Sequence, residues 1–496
     1  MKKKLSYIFV ALVLALSVFT AFPRLQASSE EKEDATSGAS AKEYTDPATL
    51  AEEYDVVVIG AGGAGMAAAI SAHDAGANVA ILEKMPVAGG NTSKSSAGMN
   101  ASQTKFQEAE GIEDSNDKFF EETLAGGKDT NDQELLRYFV DHSAEAIEWL
   151  DSMGITLSNL TTTGGMSVKR THRPADGSAV GGYLVDGLYA NVTEREIPLF
   201  VNADVVEILQ EDGKATGVKV EIGGETKEIK AKAVILTTGG FGANLDMVTE
   251  LKPELKGYVT TNQAGSTGDG IEMAKALGAA VVDLEQIQIH PSVEQSTSYL
   301  ITEAVRGEGA ILVNQQGARF YNELETRDNV SAAINGLEEQ YAYVVFDEAL
   351  KGRVKAIAKY EENGLVTTGE TIEDLAAQIG ADAETLKASL DTWNEAVKAG
   401  EDTEFGRTTG MDSDLSQAPY YAIKVAPGIH HTMGGLKINT NAQVLNEAGE
   451  PIVGLYAAGE VTGGIHGQNR IGGNAVADII IFGRQAGAQS AAFVAE

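Results

Sequence analysis

The amino-acid sequence predicts an α/β protein, a parallel-sheet domain interrupted by an inserted α+β capping domain. Three observations lead there. A short β-branched run at 54–59 passes straight into a glycine string at 60–65 and an alanine-rich segment ending near Gly76. Two further passages from strand to glycine lie far along the chain, at 233–241 and 454–460. Between 286 and 424 the pattern changes, with helical stretches such as 371–399, as expected of an insertion between two halves of one sheet.

The chain has 496 residues, enough for two or three domains and a sizeable buried core. With 72 acidic against 38 basic residues its net charge is -34, so nucleic acid and anionic membrane surfaces are poor partners. Cysteine is absent. That excludes disulfides, a thiol nucleophile, thiolate-held zinc, cysteine-ligated iron–sulfur clusters and thioether-attached haem; no metal site is expected. The 55 glycines suit a protein whose backbone must approach phosphate groups closely.

Residues 1–27 are expected to form a signal peptide. Lys2, Lys3 and Lys4 begin it, an apolar stretch comes next at 7–22, and Leu25-Gln26-Ala27 supplies a small-residue cleavage site. An uncleaved anchor is the alternative, because the apolar run is near the lower limit of about 17 residues for a membrane span. Either way the chain is expected to be exported, to the periplasm, the cell surface or the medium. Residues 28–52 are small, polar and charged and read as a flexible tether. Within it, Asp34-Ala35-Thr36-Ser37-Gly38-Ala39-Ser40 resembles the signal by which flavin transferases attach FMN covalently through a phosphoester, with Ser40 as the acceptor.

The glycine string reads Gly60-Ala61-Gly62-Gly63-Ala64-Gly65, and the strand at 79–82 after its helix ends in Glu83. Strand, glycines, helix, strand and terminal acid in this order specify a dinucleotide site. Gly60, Gly62, Ala64 and Gly65 bring the backbone and a helix N-terminus to a pyrophosphate, and Glu83 accepts from a ribose hydroxyl. Later segments of the chain select FAD over NAD. Asn91 and Thr92 after a glycine pair, then Gly98 and Met99, make a second donor-rich loop. Thr238 and Gly239 end the strand at 233–236, Asp269 stands between two glycines, and Glu460 ends the strand at 454–457, where an acid binds the ribityl chain. The expectation is a Rossmann-like FAD-binding domain in two parts, 53–285 and 425–496, around a capping domain at 286–424.

Polar side chains gather at the edges of that insertion: His290, Thr302, Glu303, Arg306 and Arg327, then His430, His431 and Arg470. With only seven histidines in the chain, three of them beside arginines suggest an anion-binding site. Taken singly each has an ordinary reading, Arg306 or Arg327 as a surface ion pair and His290 before Pro291 as a turn residue.

The strings 300–307, 319–323, 326–328, His430-His431-Thr432-Met433-Gly434-Gly435, 459–464 and 469–475 together resemble the soluble fumarate reductase and flavocytochrome c family, whose relatives include urocanate and other enoate reductases. The resemblance spans roughly 53–494. It implies reduction of the C=C bond of an unsaturated carboxylate, with hydride from flavin N5 and a proton from Arg327, and Glu303 and Arg306 as a relay that returns the proton from solvent. Arg470, His431 and the backbone at Gly473 would hold one substrate carboxylate, and His290, Thr302 and Glu303 the other. Ala475 and Val476 would contact the flavin. FAD would be held non-covalently, because the loop in which membrane-bound relatives carry an attaching histidine reads Thr92-Ser93-Lys94-Ser95-Ser96. Leu300 and Thr163 depart from the methionines of fumarate-reducing relatives. These departures point to a larger enoate, whereas the retained His290 and Thr302 argue for a second carboxylate; fumarate to succinate in anaerobic respiration is the leading expectation, and urocanate or another enoate the alternative. An aspartate-oxidase-like flavoenzyme and a non-catalytic flavin carrier are further readings. Electrons would come from an external donor: a cytochrome, a flavoprotein or reduced flavin, entering through FMN on Ser40.

Overall fold

The computed structural model describes residues 42–496, so the expected leader, Ser40 and most of the tether lie outside the described residues. Packing begins earlier than the sequence suggested. The Tyr44 ring meets Tyr189 edge-on at 5.8 Å, its hydroxyl accepts from Ala88 N, and Thr45 N donates to Leu199 O. Residues 44–52, expected in the tether, thus belong to the folded unit, because one aromatic ring and a strand-like hydrogen bond anchor them.

The first part opens with strand β1 (Glu53–Ile59), helix α1 (Gly63–Asp74) and strand β2 (Val79–Leu82). Strands β3 (Leu199–Phe200) and β4 (Glu225–Leu236) come after a helical excursion. In β1, Val56, Val57 and Val58 are fully buried, as a strand covered on both faces demands. The turn into α1 needs glycine: Gly60 has φ +103°, and a Cβ there would lie 2.4 Å from the Thr237 carbonyl oxygen.

The capping region contributes strand β5 (Ile287–Glu294), the short helix α2 (Glu303–Gly307), helix α3 (Arg327–Asn335), and strands β6 (Ala342–Asp347) and β7 (Tyr420–Thr432). Its sheet is antiparallel, with β5, β7 and β6 adjacent, and it has its own core around Ile301, Val344, Phe346, Trp393 and Ile423. The expected helical stretch at 371–399 is two helices, Ile372–Ile379 and Ala383–Ala399. The first crossing from the FAD-binding part falls in a turn at 283–286, and the return falls inside β7. The paired strands β5 and β7 lie at the boundary between the two parts, with Ile287 and Ile429 in one core and Val425 in the other.

The chain then returns to the first sheet through β8 (Pro451–Ala457) and the long helix α4 (Asn474–Ala495). The sheet runs Gln443–Leu445, β8, β4, β1, β2, β3, and every neighbouring pair from β8 to β3 is parallel. The ends of β1, β4 and β8 therefore lie side by side, where ligands of open α/β sheets bind.

Candidate active site

The glycine turn, Glu83, Asn91, Thr92, Thr238, Gly239, Asp269 and Glu460 line a narrow cavity of about 90 Å³ along these strand ends. The N-cap of α1, Gly62, has no side chain to cap it, Gly63 N donates to Thr92 Oγ1 at 3.0 Å, and Gly62, Gly63 and Ala64 form part of the wall. Backbone donors at a helix N-terminus suit a pyrophosphate, so the residues fit the ADP half of FAD. Glu83 is nearly buried: Oε2 accepts from Ala61 N and Oε1 from Met85 N, both at 2.8 Å. It braces the glycine turn as well as facing the groove. Burial raises its pKa, with these two N–H bonds opposing.

Three expected cofactor residues lie behind the wall of this cavity. Gly65 packs so tightly against the turn that a Cβ would meet the Gly60 carbonyl at 1.9 Å, and Gly98 and Met99 pack against Thr171–Arg173, one layer behind.

A second cavity of about 570 Å³ continues from Asn91 and Thr92. Leu300, Arg327, His430, His431, Arg470, Gly473, Ala475 and Val476 form its walls. Gly473 ends its loop at φ +86°, where a Cβ would lie 2.4 Å from Asn100 Oδ1, and it starts α4 with no side-chain cap. The size and the second uncapped helix start suit a flavin ring with a small acid beside it.

Arg327, first residue of α3, donates Nε–H to Glu303 Oε2 at 3.0 Å. Glu303 is the first residue of α2, whose N-cap is Thr302. Burial pushes the Glu303 carboxyl up, but the charges of Arg327 and Arg306 outweigh it and bring it down to about 2. It is a carboxylate at neutral pH. Gln288 joins the two arginines of the cavity: its Oε1 accepts from Arg327 Nη1 and Arg470 Nη2, each at 3.1 Å. Its Nε2 donates to Asn469 Oδ1 at 3.0 Å and to the Arg470 carbonyl at 2.7 Å. Burial and the Arg327 charge pull Arg470 down to about 9, and its Nε is buried without a partner. Two guanidiniums forced together in a dry cleft attract an anion.

The histidines are neutral hydrogen-bonding groups. Burial first, and then neighbouring arginines, push His290, His430 and His431 well below the ordinary histidine value. His430 and His290 meet edge to face at 5.2 Å, and His430 Nδ1 lies 2.8 Å from Thr261 Oγ1. His431 Nδ1 is 3.5 Å from Glu460 Oε1, and its Nε2 is buried without a partner.

The structure does not bring every expected residue to the wall. His290 and Thr302 are almost wholly buried next to it. Arg306, 1% exposed, donates Nη1–H to the main-chain oxygen of Glu323, while its Nε and Nη2 have no partner. Among the described residues it forms no ion pair with Glu303, so its influence there is through space. Sequence reasoning missed Gln288 and left His430 without a role. The one available signal for Gln288 was an uncharged polar residue between Ile287 and Ile289 in an apolar strand.

A family described as an FAD binding domain matches residues 55–476. NADH:fumarate oxidoreductase of Klebsiella pneumoniae is 55% identical over 441 residues, covering 89% of this chain and 48% of that protein. The chain thus spans about half the length of that relative. Urocanate reductase of Eggerthella lenta is 36% identical, over 90% of this chain and 76% of that protein. The open conformation of a flavocytochrome c3 fumarate reductase superposes with a TM-score of 0.76 at 42% identity, covering 90% of this chain and 80% of that one. With an FAD-binding match over most of its length, relatives well above 30% identity and a shared fold, the chain belongs to the fumarate reductase family of FAD-dependent oxidoreductases.

Proposed function

We propose that this chain is an exported reductase that converts fumarate to succinate in anaerobic respiration. The observation that carries the reading is the convergence of Arg327 and Arg470 on Gln288 Oε1, each at 3.1 Å, at the wall of the larger cavity. Two cations held side by side suit a dicarboxylate whose negative charge grows during reduction. FAD, when bound, supplies the hydride.

The protein's own residues do the rest. Arg470, His431 Nε2 and the backbone at Gly473 hold one carboxylate; His290 and Thr302, joined by His430, hold the other, while the ionised Glu303 has its oxygens engaged by Arg327, Thr163 and Gly164. Arg327 donates the proton to the carbon opposite the one that takes the hydride. A free guanidinium is a poor acid, with a pKa above about 12. Here position replaces acidity, because the proton lies next to the carbon that gains charge. Glu303 keeps Arg327 aimed and hands on the proton that restores it, with Arg306 as a nearby charge.

Electrons enter from an external donor, through FMN carried on Ser40. The Asp34–Ser40 string supports that attachment, and the basic, apolar and small-residue segments of 1–27 support export. A second reading, a larger enoate such as urocanate, draws on Leu300 in the cavity wall and Thr163 beside Glu303. An anaerobic assay with reduced methyl viologen tests both. Oxidation on adding fumarate supports the first reading, and oxidation by urocanate alone supports the second. No oxidation by any enoate would leave a flavin carrier.

A further inference from the structure

We propose that Thr163 is the entry point for the proton that restores Arg327, delivering it from water to Glu303. The inference rests on the reading of the chain as a C=C reductase and adds to it a route the relay must have.

The two oxygens of Glu303 face different partners. Oε2 accepts from Arg327 Nε at 3.0 Å. Oε1 accepts from the Thr163 hydroxyl at 3.4 Å and from Gly164 N at 3.3 Å. The three groups close around one point. A Cβ placed on Gly472 would lie 2.7 Å from Thr163 Oγ1, 3.1 Å from Arg327 Nη2 and 3.4 Å from Glu303 Oε2.

Access to solvent differs between the candidates. Arg306 is 1% exposed and forms no ion pair with Glu303 among the described residues. Thr163 is partly exposed, between the exposed Thr162 and the exposed Gly165. Its loop is tied down at its far end, where Ser167 donates to Glu122, and Arg170 pairs with both Glu122 and Asp114. The hydroxyl is therefore held against Glu303 on a residue that is itself partly exposed.

A hydroxyl can pass a proton without gaining net charge, because it donates its own hydrogen as it accepts another. In each cycle Arg327 gives one proton to the substrate carbon. Thr163 then gives its hydroxyl proton to Glu303 Oε1 and takes one from solvent, and a half-turn of the carboxyl group carries the proton to the Arg327 nitrogen that gave one up, while Nε keeps its own hydrogen. One solvent proton is consumed, and no electrons move along this route.

The test separates refilling from chemistry. In the FAD-loaded, pre-reduced protein Arg327 already holds its proton, so a first turnover needs no relay. For Thr163→Val, fumarate should oxidise the flavin in the first turnover within about twofold of wild type, while steady-state viologen-driven turnover falls about tenfold or more. Thr163→Ser, which keeps the hydroxyl, should recover turnover to within about twofold of wild type. The infrared carboxylate band lost in Glu303→Gln should also shift in Thr163→Val, which reads the contact without turnover. Wild-type turnover in Thr163→Val overturns the proposal. So does a first turnover slowed as much as the steady state, which would make Thr163 a substrate-orienting group. If the wild-type flavin is not oxidised by any enoate, the reductase reading itself has failed, and that result is visible before any variant is compared.

Discussion

Arg327 and Glu303 meet Nε to Oε2 at 3.0 Å, and each is the first residue of its helix. The two ends are not equivalent. An anion at a helix start is favoured, whereas a cation there is disfavoured by about 0.3–1 kcal/mol. Arg327 is thus held by its carboxylate partner at a helix start that disfavours a positive charge. The pair reads as a cation kept in place by Glu303 against the unfavourable end of α3.

Replacing the donor should therefore stop the chemistry and leave the fold. Arg327→Lys and Arg327→Ala should lose several orders of magnitude in steady-state fumarate turnover with FAD content unchanged. Retention of more than about a tenth of the wild-type rate, under about 1.4 kcal/mol of barrier, would remove Arg327 from that role.

Gln288 should matter nearly as much, although it carries no charge. Gln288→Leu removes the acceptor shared by Arg327 and Arg470, leaving two buried guanidiniums to repel each other. We expect kcat/KM for fumarate to fall roughly 10- to 100-fold, in line with the loss of charge-assisted hydrogen bonds. Gln288→Glu should keep the arginines in place but repel the substrate carboxylate, raising KM more than it lowers kcat. Steady-state kinetics on both variants checks this, and unchanged constants in Gln288→Leu would contradict the clamp.

Glu303 also sets a pH dependence. Its carboxyl lies at about 2 in the folded protein against an ordinary 4.5. A depressed carboxyl stabilises the fold above its ordinary value, and the contribution is lost as pH falls through the folded one. Thermal melting of wild type should therefore drop more steeply between pH 4.5 and about 2 than that of Glu303→Gln. Parallel curves would show that the Arg327–Glu303 contact contributes nothing to stability.

Electron entry through Ser40 implies a covalent adduct. In a host that has a flavin transferase, the exported protein should keep one FMN mass after acid precipitation strips FAD, and Ser40→Ala should lose it. The same variant should lose turnover with the physiological donor while reduction by small viologens is nearly unchanged. An unmodified mass from such a host would remove Ser40 from the electron path.

Much of this site was legible from residue order, because β1, its glycine turn, α1, β2 and Glu83 are adjacent in the chain and dictate a local geometry. Glu460 and Thr238 could be placed for the same reason, each standing just past a strand. Gln288 could not. It stands opposite His431 in the β5–β7 pairing, next to an irregularity in register, and only that pairing carries it to both arginines. Thr163 reads as one of three threonines in a loop until the fold sets it against Glu303, 140 residues away. Gly98 and Met99 read as flavin contacts because they belong to a donor-rich loop; in the fold Gly98 packs on Thr171–Arg173, and Met99 pairs with His172. Tyr44 shows the opposite: its polar neighbours suggested a tether, yet its ring packs on Tyr189 and Thr45 N donates to Leu199 O.

The most direct measurement is to load the protein with FAD, reduce it anaerobically, and mix it with fumarate while monitoring the flavin absorbance. Rapid reoxidation with one succinate formed per flavin is expected, and it should be abolished in Arg327→Ala. A flavin that stays reduced in the presence of fumarate, urocanate and other unsaturated acids alike would show that this chain is not a C=C reductase.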